Sequence, residues 1–495
     1  MKSMSILKSL PGGIFRAGLA ALLLGTVGQA QAYINGWEGS CDADPVGKNC
    51  PTPTVRTFIL TAKHDFVSTS DGGSHYAWGY SFGADLPMQY PGPTLLVRQG
   101  DTVKIVLNNT LPVPVSIVLP GMQGVTASGG NAGLLTREAP AVPLADNDIV
   151  AGPTYTFVAD KAGTYLYHSG TNADLQVEMG LVGALIVRPT GYLFGTTGSH
   201  PNRKAYEQPG TNYDRENLFL LSEIDPAIHW QVYTQVFSNL PVMVDTTSIK
   251  PSMWFINGRN GPDTLLDDHV DWLPTQPYNA LPRMHPGERL LMRVVNAGRD
   301  LHPFHHHGNH AYPVARDGRV LSSISPSNPA YLTTAPDLSS PDFTVRSVPG
   351  QTMDLIFEWT GKMIGFDIYG TTAINPHVCS PYATGPYAGH HSVATDKNYL
   401  EWCDDHNKPI PVIIPSQLDL SFGESWSGTP YLGLVGALPQ GHPGLNTTGG
   451  YFHMWHSHTE RELTTDDIFP GGMMTMLIVE PWPVVLFEDD PLNQQ

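Results

Sequence analysis

A chain of 495 residues, 41% of them apolar, is long enough to form two or three domains with separate cores and reads as globular. Fifty glycines, 44 prolines, only 15% charged residues and no long Ala/Glu/Lys/Leu stretch favour strands joined by turns over helices. The formal charge of −18 argues against nucleic-acid binding and for cationic partners or metal ions near the surface, or simply for a protein kept apart in solution by its own charge.

In chain order, residues 1–32 come first, with Lys2, Lys8 and Arg16 ahead of an apolar run that closes on Ala30-Gln31-Ala32. This is the pattern of a secretory signal peptide, so an exported protein, periplasmic or extracellular, starting at Tyr33 is expected; its formal charge is then −21. The other reading, an uncleaved anchor, suffers because the run is shorter than the roughly 20 residues a membrane span needs. No later stretch is apolar enough to cross a bilayer. Four cysteines fall in two local pairs, Cys41 with Cys50 and Cys379 with Cys403. In an exported protein these read as two disulfides, although the sequence alone permits three connectivities.

Two long stretches then share one grammar. PGPTLLVRQGDTVKIVLNNTLPVPVSIVLPG (91–121) and AGTYLYHSGTNADLQVEMGLVGALIVRP (162–189) alternate apolar and polar residues between Gly, Pro and Asn turns. RMHPGERLLMRVVNAGRDLHPFHHHGNHAYPVARDGR (283–319) and YFHMWHSHTERELTTDDIFPGGMMTMLIVEPW (451–482) repeat them, with YHSG at 167–170 matching WHSH at 455–458. The repeat predicts an all-β fold of two sandwich domains, 33–200 and 210–485, joined near 195–215 where periodicity lapses. A Pro-, Gly- and Tyr-rich insertion at about 361–450 holds the second cysteine pair, which argues for an ordered segment.

The stretch HPFHHHGNH (302–310) holds five histidines in nine positions, too dense for a chain with 20 in all. Side chains two apart on a strand share a face, so His305 and His307 point one way and His306 the other; His456 and His458 form a second such pair. If the repeat sets those strands side by side, four imidazoles meet on one face as a first shell suited to copper, zinc or iron. His64, His75, His200, His229, His269, His285, His377, His406 and His442 are read as surface or structural residues.

With PGPTLLVRQGDTV, AGTYLYHS, GLVGALIV and PGGMM, the motifs HPFHHHG and WHSH make the chain resemble the multicopper oxidases, the cupredoxin family of the laccases and, in two-domain form, the copper nitrite reductases. The resemblance covers about 91–190 and 250–482 and implies two cupredoxin-like Greek-key sandwiches and copper as cofactor. It is uneven in the ligands. Val118-Leu119-Pro120 stands at the family's first His-x-His, and His168 keeps one histidine of the second. His302 matches a type 1 copper ligand, while His305 and His307 match ligands of the trinuclear cluster. His456 and His458 are kept, but Ser457 replaces the cysteine between them, Glu462 stands at the second type 1 histidine, and Met473 and Met474 are displaced from the axial spacing. A blue copper site needs a thiolate, and a serine hydroxyl stays protonated near neutral pH, so none is expected.

The metal-site candidates are therefore His168, His302, His305, His307, His456 and His458, holding one or two coppers, with Glu460, Glu462 or Asp466 as added carboxylates and His306, His310, His390, His391 and His453 in reserve. Three functions follow from the resemblance. The first is a reduced copper site used for metal handling or direct redox chemistry on a metal ion or small molecule. The second is an oxidase of metal ions or phenols working with an exported redox protein such as a cytochrome, and the third is a scaffold that has lost its metal. The nitrite reductase plan loses its electron entry point at Ser169, and two-domain relatives imply a homotrimer whose sites are completed between subunits.

Overall fold

The computed structural model describes residues 34–43, 50–51, 53–143, 148–190, 203–360, 365–373, 375–385, 387–409, 451–480 and 486. The signal peptide expected at 1–32, the first part of the expected joint (to residue 202) and the insertion from 410 to 450 lie outside these residues.

The described residues are mostly β, arranged in sandwiches. In the first, strands Ser74–Phe82, Val55–Ser68, Thr102–Asn109, Val150–Val158 and Thr126–Ser128 neighbour one another in that order, packed against Gly92–Arg98, Val182–Arg188 and Gly163–His168. In the second, the order Met253–Ile256, Arg215–Ile224, Arg289–Asn296, Thr352–Glu358, Ala311–Arg316, Arg319–Val320 packs against Arg283–Met284, Met474–Val479, Tyr451–Ser457, His302–His306, Thr344–Ser347.

The internal repeat is visible in the topology. Val55–Ser68 runs parallel to Thr102–Asn109, and Arg215–Ile224 runs parallel to Arg289–Asn296. Parallel neighbours cannot be joined by a tight hairpin. In each case the chain first adds an antiparallel partner, then contributes a strand to the opposite sheet, and only then returns. Alternation sets which side chains fill the cores: Val103, Ile105 and Leu107 point inward from one strand while Lys104 faces solvent.

A buried ionic network ties the halves together. Arg293 of the second sandwich pairs with Glu216 at 3.0 Å and donates to Thr164 Oγ1 of the first, also at 3.0 Å. Thr164 donates to Asp354 at 2.6 Å, Tyr206 donates to the other Asp354 oxygen, and Arg188 pairs with Glu216 from the first sandwich. Each charge in this dry region has an opposite charge beside it, which offsets the cost of leaving water.

One helix departs from the composition-based expectation. Asp225 accepts a hydrogen bond from the Ala227 N–H as N-cap, Pro226 opens the first turn, and the helix runs Pro226–Phe237. Its Ile228, Val232 and Val236 complete the core of the first sandwich. His229 is buried there, its ring nitrogens bonded to the Tyr76 and Glu178 carbonyls, in keeping with a structural role. Both expected disulfides, Cys41–Cys50 and Cys379–Cys403, are formed. Among the described residues no helix is long and apolar enough to cross a membrane.

Candidate metal centre

Strand His302–His306 pairs antiparallel with Tyr451–Ser457, and the register sets Phe304 opposite Ser457, His305 opposite His456 and His306 opposite Trp455. Residues directly opposite share a face. Phe304, His306 and Trp455 point into the core, where Trp455 packs on Phe219 and Phe357 and donates its indole N–H to the His307 carbonyl at 2.9 Å. Gly308, at φ 104°, turns the chain away from the cluster in a conformation other residues rarely adopt. The opposite parity, His305, His307 and His456, emerges on the other face.

There, one ring nitrogen from each of His305, His307 and His456 lies within 4.8 Å of the other two. His307 Nε2 is 3.2 Å from His456 Nε2. The exposed His458 closes the group, its ring centroid 5.0 Å from that of His305 and 5.8 Å from that of His456. His456 Nδ1 donates to the Ser457 carbonyl at 2.6 Å, and His305 Nδ1 bonds Thr344 Oγ1 at 2.8 Å, so each turns its Nε2 toward the cluster. Burial, reinforced by mutual repulsion among the imidazoles, depresses His305 to about 4 and His307 to about 3; burial also lowers His456. The rings are therefore neutral near pH 7, each keeping one unprotonated nitrogen as a potential ligand. Neutral imidazole nitrogen is a donor that suits copper, so this set fits the metal.

The structure sets His302, matched by the resemblance to a type 1 copper ligand, apart from this cluster. Three positions from His305, it lies on the core face, and both of its nitrogens are taken: Nε2 by Glu223 at 2.8 Å and Nδ1 by Glu462 at 2.9 Å. Ser457 Oγ donates to the same Glu462 oxygen at 2.6 Å. A ring that donates from both nitrogens has no lone pair for a metal. Burial opposes a charge on His302, but the hydrogen bonds and charges of Glu223 and Glu462 outweigh it and hold its pKa at about 9. Carboxylate, imidazolium and carboxylate thus fill the position that the motif pattern assigns to type 1 copper.

The charge on buried His302 makes stability depend on pH. The folded pKa lies above the ordinary 6.5, so the contribution of the triad, on the order of 3 kcal/mol, is present in full below about pH 6.5 and lost as pH rises through about 9. The wild-type Tm is expected to fall more steeply between pH 7 and 10 than that of Glu462→Gln; parallel profiles would refute the charged triad.

His168 stands apart from the cluster at the end of Gly163–His168, its Nδ1 2.8 Å from the Ser169 carbonyl and its backbone bridged to Val118. Val118 belongs to the segment without histidines, so no imidazole pair forms there. Glu462 is committed to His302, and Glu460 and Asp466 are exposed and outside the cluster. His306 is buried and accepts from the Ala311 N–H, His310 lies against Phe343, His453 packs near Trp359, and His390 and His391 sit in the insertion. Two functional partners escaped the sequence reading, Glu223 and Thr344. Glu223 is 79 positions from His302, and no local pattern marks either residue.

Residues 85–191 match the multicopper oxidase family model, a span within the first sandwich, whereas the histidine cluster belongs to the second. A probable nitrite reductase-hydroxylamine oxidoreductase fusion protein from Kuenenia stuttgartiensis is 27% identical over 50% of this chain and 24% of its own length. Laccase-3 of Arabidopsis thaliana is 24% identical over 60% of this chain and 46% of its own. The chain thus spans a quarter to a half of these curated relatives. A blue copper oxidase structure from Nitrosomonas europaea aligns over 88% of this chain and 91% of its own, with TM-score 0.47 and 17% identity. Copper is the metal that multicopper oxidases bind. Over residues 85–191 the chain is thus similar to the multicopper oxidase family, and laccases are among its relatives.

Proposed function

We propose that this chain is an exported copper protein that binds the metal through His305, His307 and His456, with His458 as a fourth ligand, and has no blue centre. The observation that carries the reading is the convergence of three neutral imidazoles on one face of the sheet while Ser457 and His302 are locked to carboxylates on the other. Bound there, copper supplies one-electron redox chemistry and Lewis acidity. Thr344 and the Ser457 carbonyl hold the rings in orientation, and the exposed flank at His458 lets a metal ion or small molecule reach the site itself. Without a thiolate to pass electrons in from a distance, the substrate has to come to the metal. Two disulfides fit an oxidising compartment. In a homotrimer, as proposed, a second copy would cover the open flank at His458.

Metal analysis of the exported protein, with optical and paramagnetic spectra, tests this. Bound copper with an ordinary type 2 signal, several nitrogen couplings and no intense visible band is expected. An intense blue band would overturn the reading of Ser457, and a protein that takes up no copper would be a scaffold.

A further inference from the structure

The insertion holds a second constellation, remote in sequence from the first: Asp367, His377, Glu401 and His406 each offer a ligand atom within 4.8 Å of the others. Sequence reading treated both histidines as surface or structural, yet the structure turns them toward two buried carboxylates. His377 Nε2 lies 3.2 Å from Glu401 Oε2 and 3.4 Å from Asp367 Oδ2, and His406 Nδ1 lies 2.8 Å from Glu401 Oε1. The two rings meet edge-on with centroids 4.8 Å apart.

The surroundings are those of a metal shell. His377 donates Nδ1–H to the Asn375 carbonyl at 2.6 Å, which fixes the ring and aims Nε2 inward. That Nε2 is buried without a hydrogen bond of normal geometry, and the His377 side chain is only 9% exposed. A metal ion bound there would displace the proton that this nitrogen otherwise shares with the two carboxylate oxygens, as imidazole ligation requires. The carboxylates are themselves fixed: Asp367 accepts from the Tyr369 and Asn407 N–H groups, and Glu401 accepts from the Asn398 amide. The disulfide Cys379–Cys403 joins the two arms, with His377 and Glu401 each two residues before a bonded cysteine. Between residues 365 and 409 the described chain forms no regular strand and only one short 3₁₀ turn, and segments that cannot build a large core need such staples.

We infer that Asp367, His377, Glu401 and His406 bind a divalent transition-metal ion, zinc by donor chemistry, which together with the disulfide ties the arms of the insertion to one another. Two imidazole nitrogens and two carboxylate oxygens form a four-donor set of the kind zinc takes, and the carboxylate charge cancels that of the ion in a buried setting. This site is independent of the copper reading.

The test uses the full exported protein carrying His305→Ala and His307→Ala, which silences the first cluster. After dialysis against zinc and then metal-free buffer, about one retained zinc per chain is expected. Adding His377→Ala and His406→Ala should abolish it, and Glu401→Gln should weaken it by ~10–100-fold while the disulfide, followed by thiol titration, still forms. Cobalt in place of zinc should give the strong visible ligand-field bands of a four-coordinate site. A protein that retains no zinc and no cobalt, or whose zinc content is unchanged by the His377 and His406 substitutions, would show the cluster to be a salt bridge only.

Discussion

Substituting His305 and His307 together by Ala is expected to weaken copper binding by more than ~100-fold, beyond the cost of losing an outer partner of a metal ligand. The two residues supply two of the three rings that converge within 4.8 Å. Fold and secondary structure should survive, because these side chains leave the outer face of the sheet while Phe304 and Trp455 fill the core behind it. Titration of the zinc-saturated protein with copper, read by the nitrogen couplings of the paramagnetic signal, makes the comparison. Thr344→Val, which removes only the oxygen that orients His305, should cost ~10–100-fold. Unchanged copper stoichiometry and affinity in the double Ala variant would remove these rings from the site.

Ser457→Cys combined with Glu462→His is expected to create the intense visible charge-transfer band that the wild type lacks. On the core face, Ser457 Oγ and His302 Nδ1 already meet at one point, 2.6 Å and 2.9 Å from the same Glu462 oxygen. Replacing that carboxylate by imidazole frees His302 Nδ1, and the introduced thiolate completes a two-histidine, one-cysteine set for copper. Glu223 remains on Nε2, the position in which a metal-bound histidine ordinarily has a carboxylate. Ser457→Cys alone should give no such band, since Glu462 still holds His302. A blue protein from the single substitution, or a colourless double variant that retains copper elsewhere, would refute this account of the pocket.

His305 with His307, and His456 with His458, were recognisable as pairs because a strand repeats every two residues, and so was the opposite orientation of His306. The same parity, carried three positions back, puts His302 on the core face, apart from the pair His305 and His307. The helix Pro226–Phe237 was legible too, in an Asp-Pro opening that composition overshadowed. The insertion's histidines looked isolated because their carboxylate partners lie 10 and 24 positions from His377, across a disulfide.

By itself the sequence determined the β alternation, the internal repeat, the histidine pairs and the absence of sulfur at Ser457, all of which are local or directly countable. Only the tertiary structure decided that His305 stands opposite His456, that Glu223 and Glu462 clasp His302, and that His377 meets Glu401. Strand register and the packing of distant segments arise from contacts among residues far apart in the chain, and no local period encodes which of them will touch.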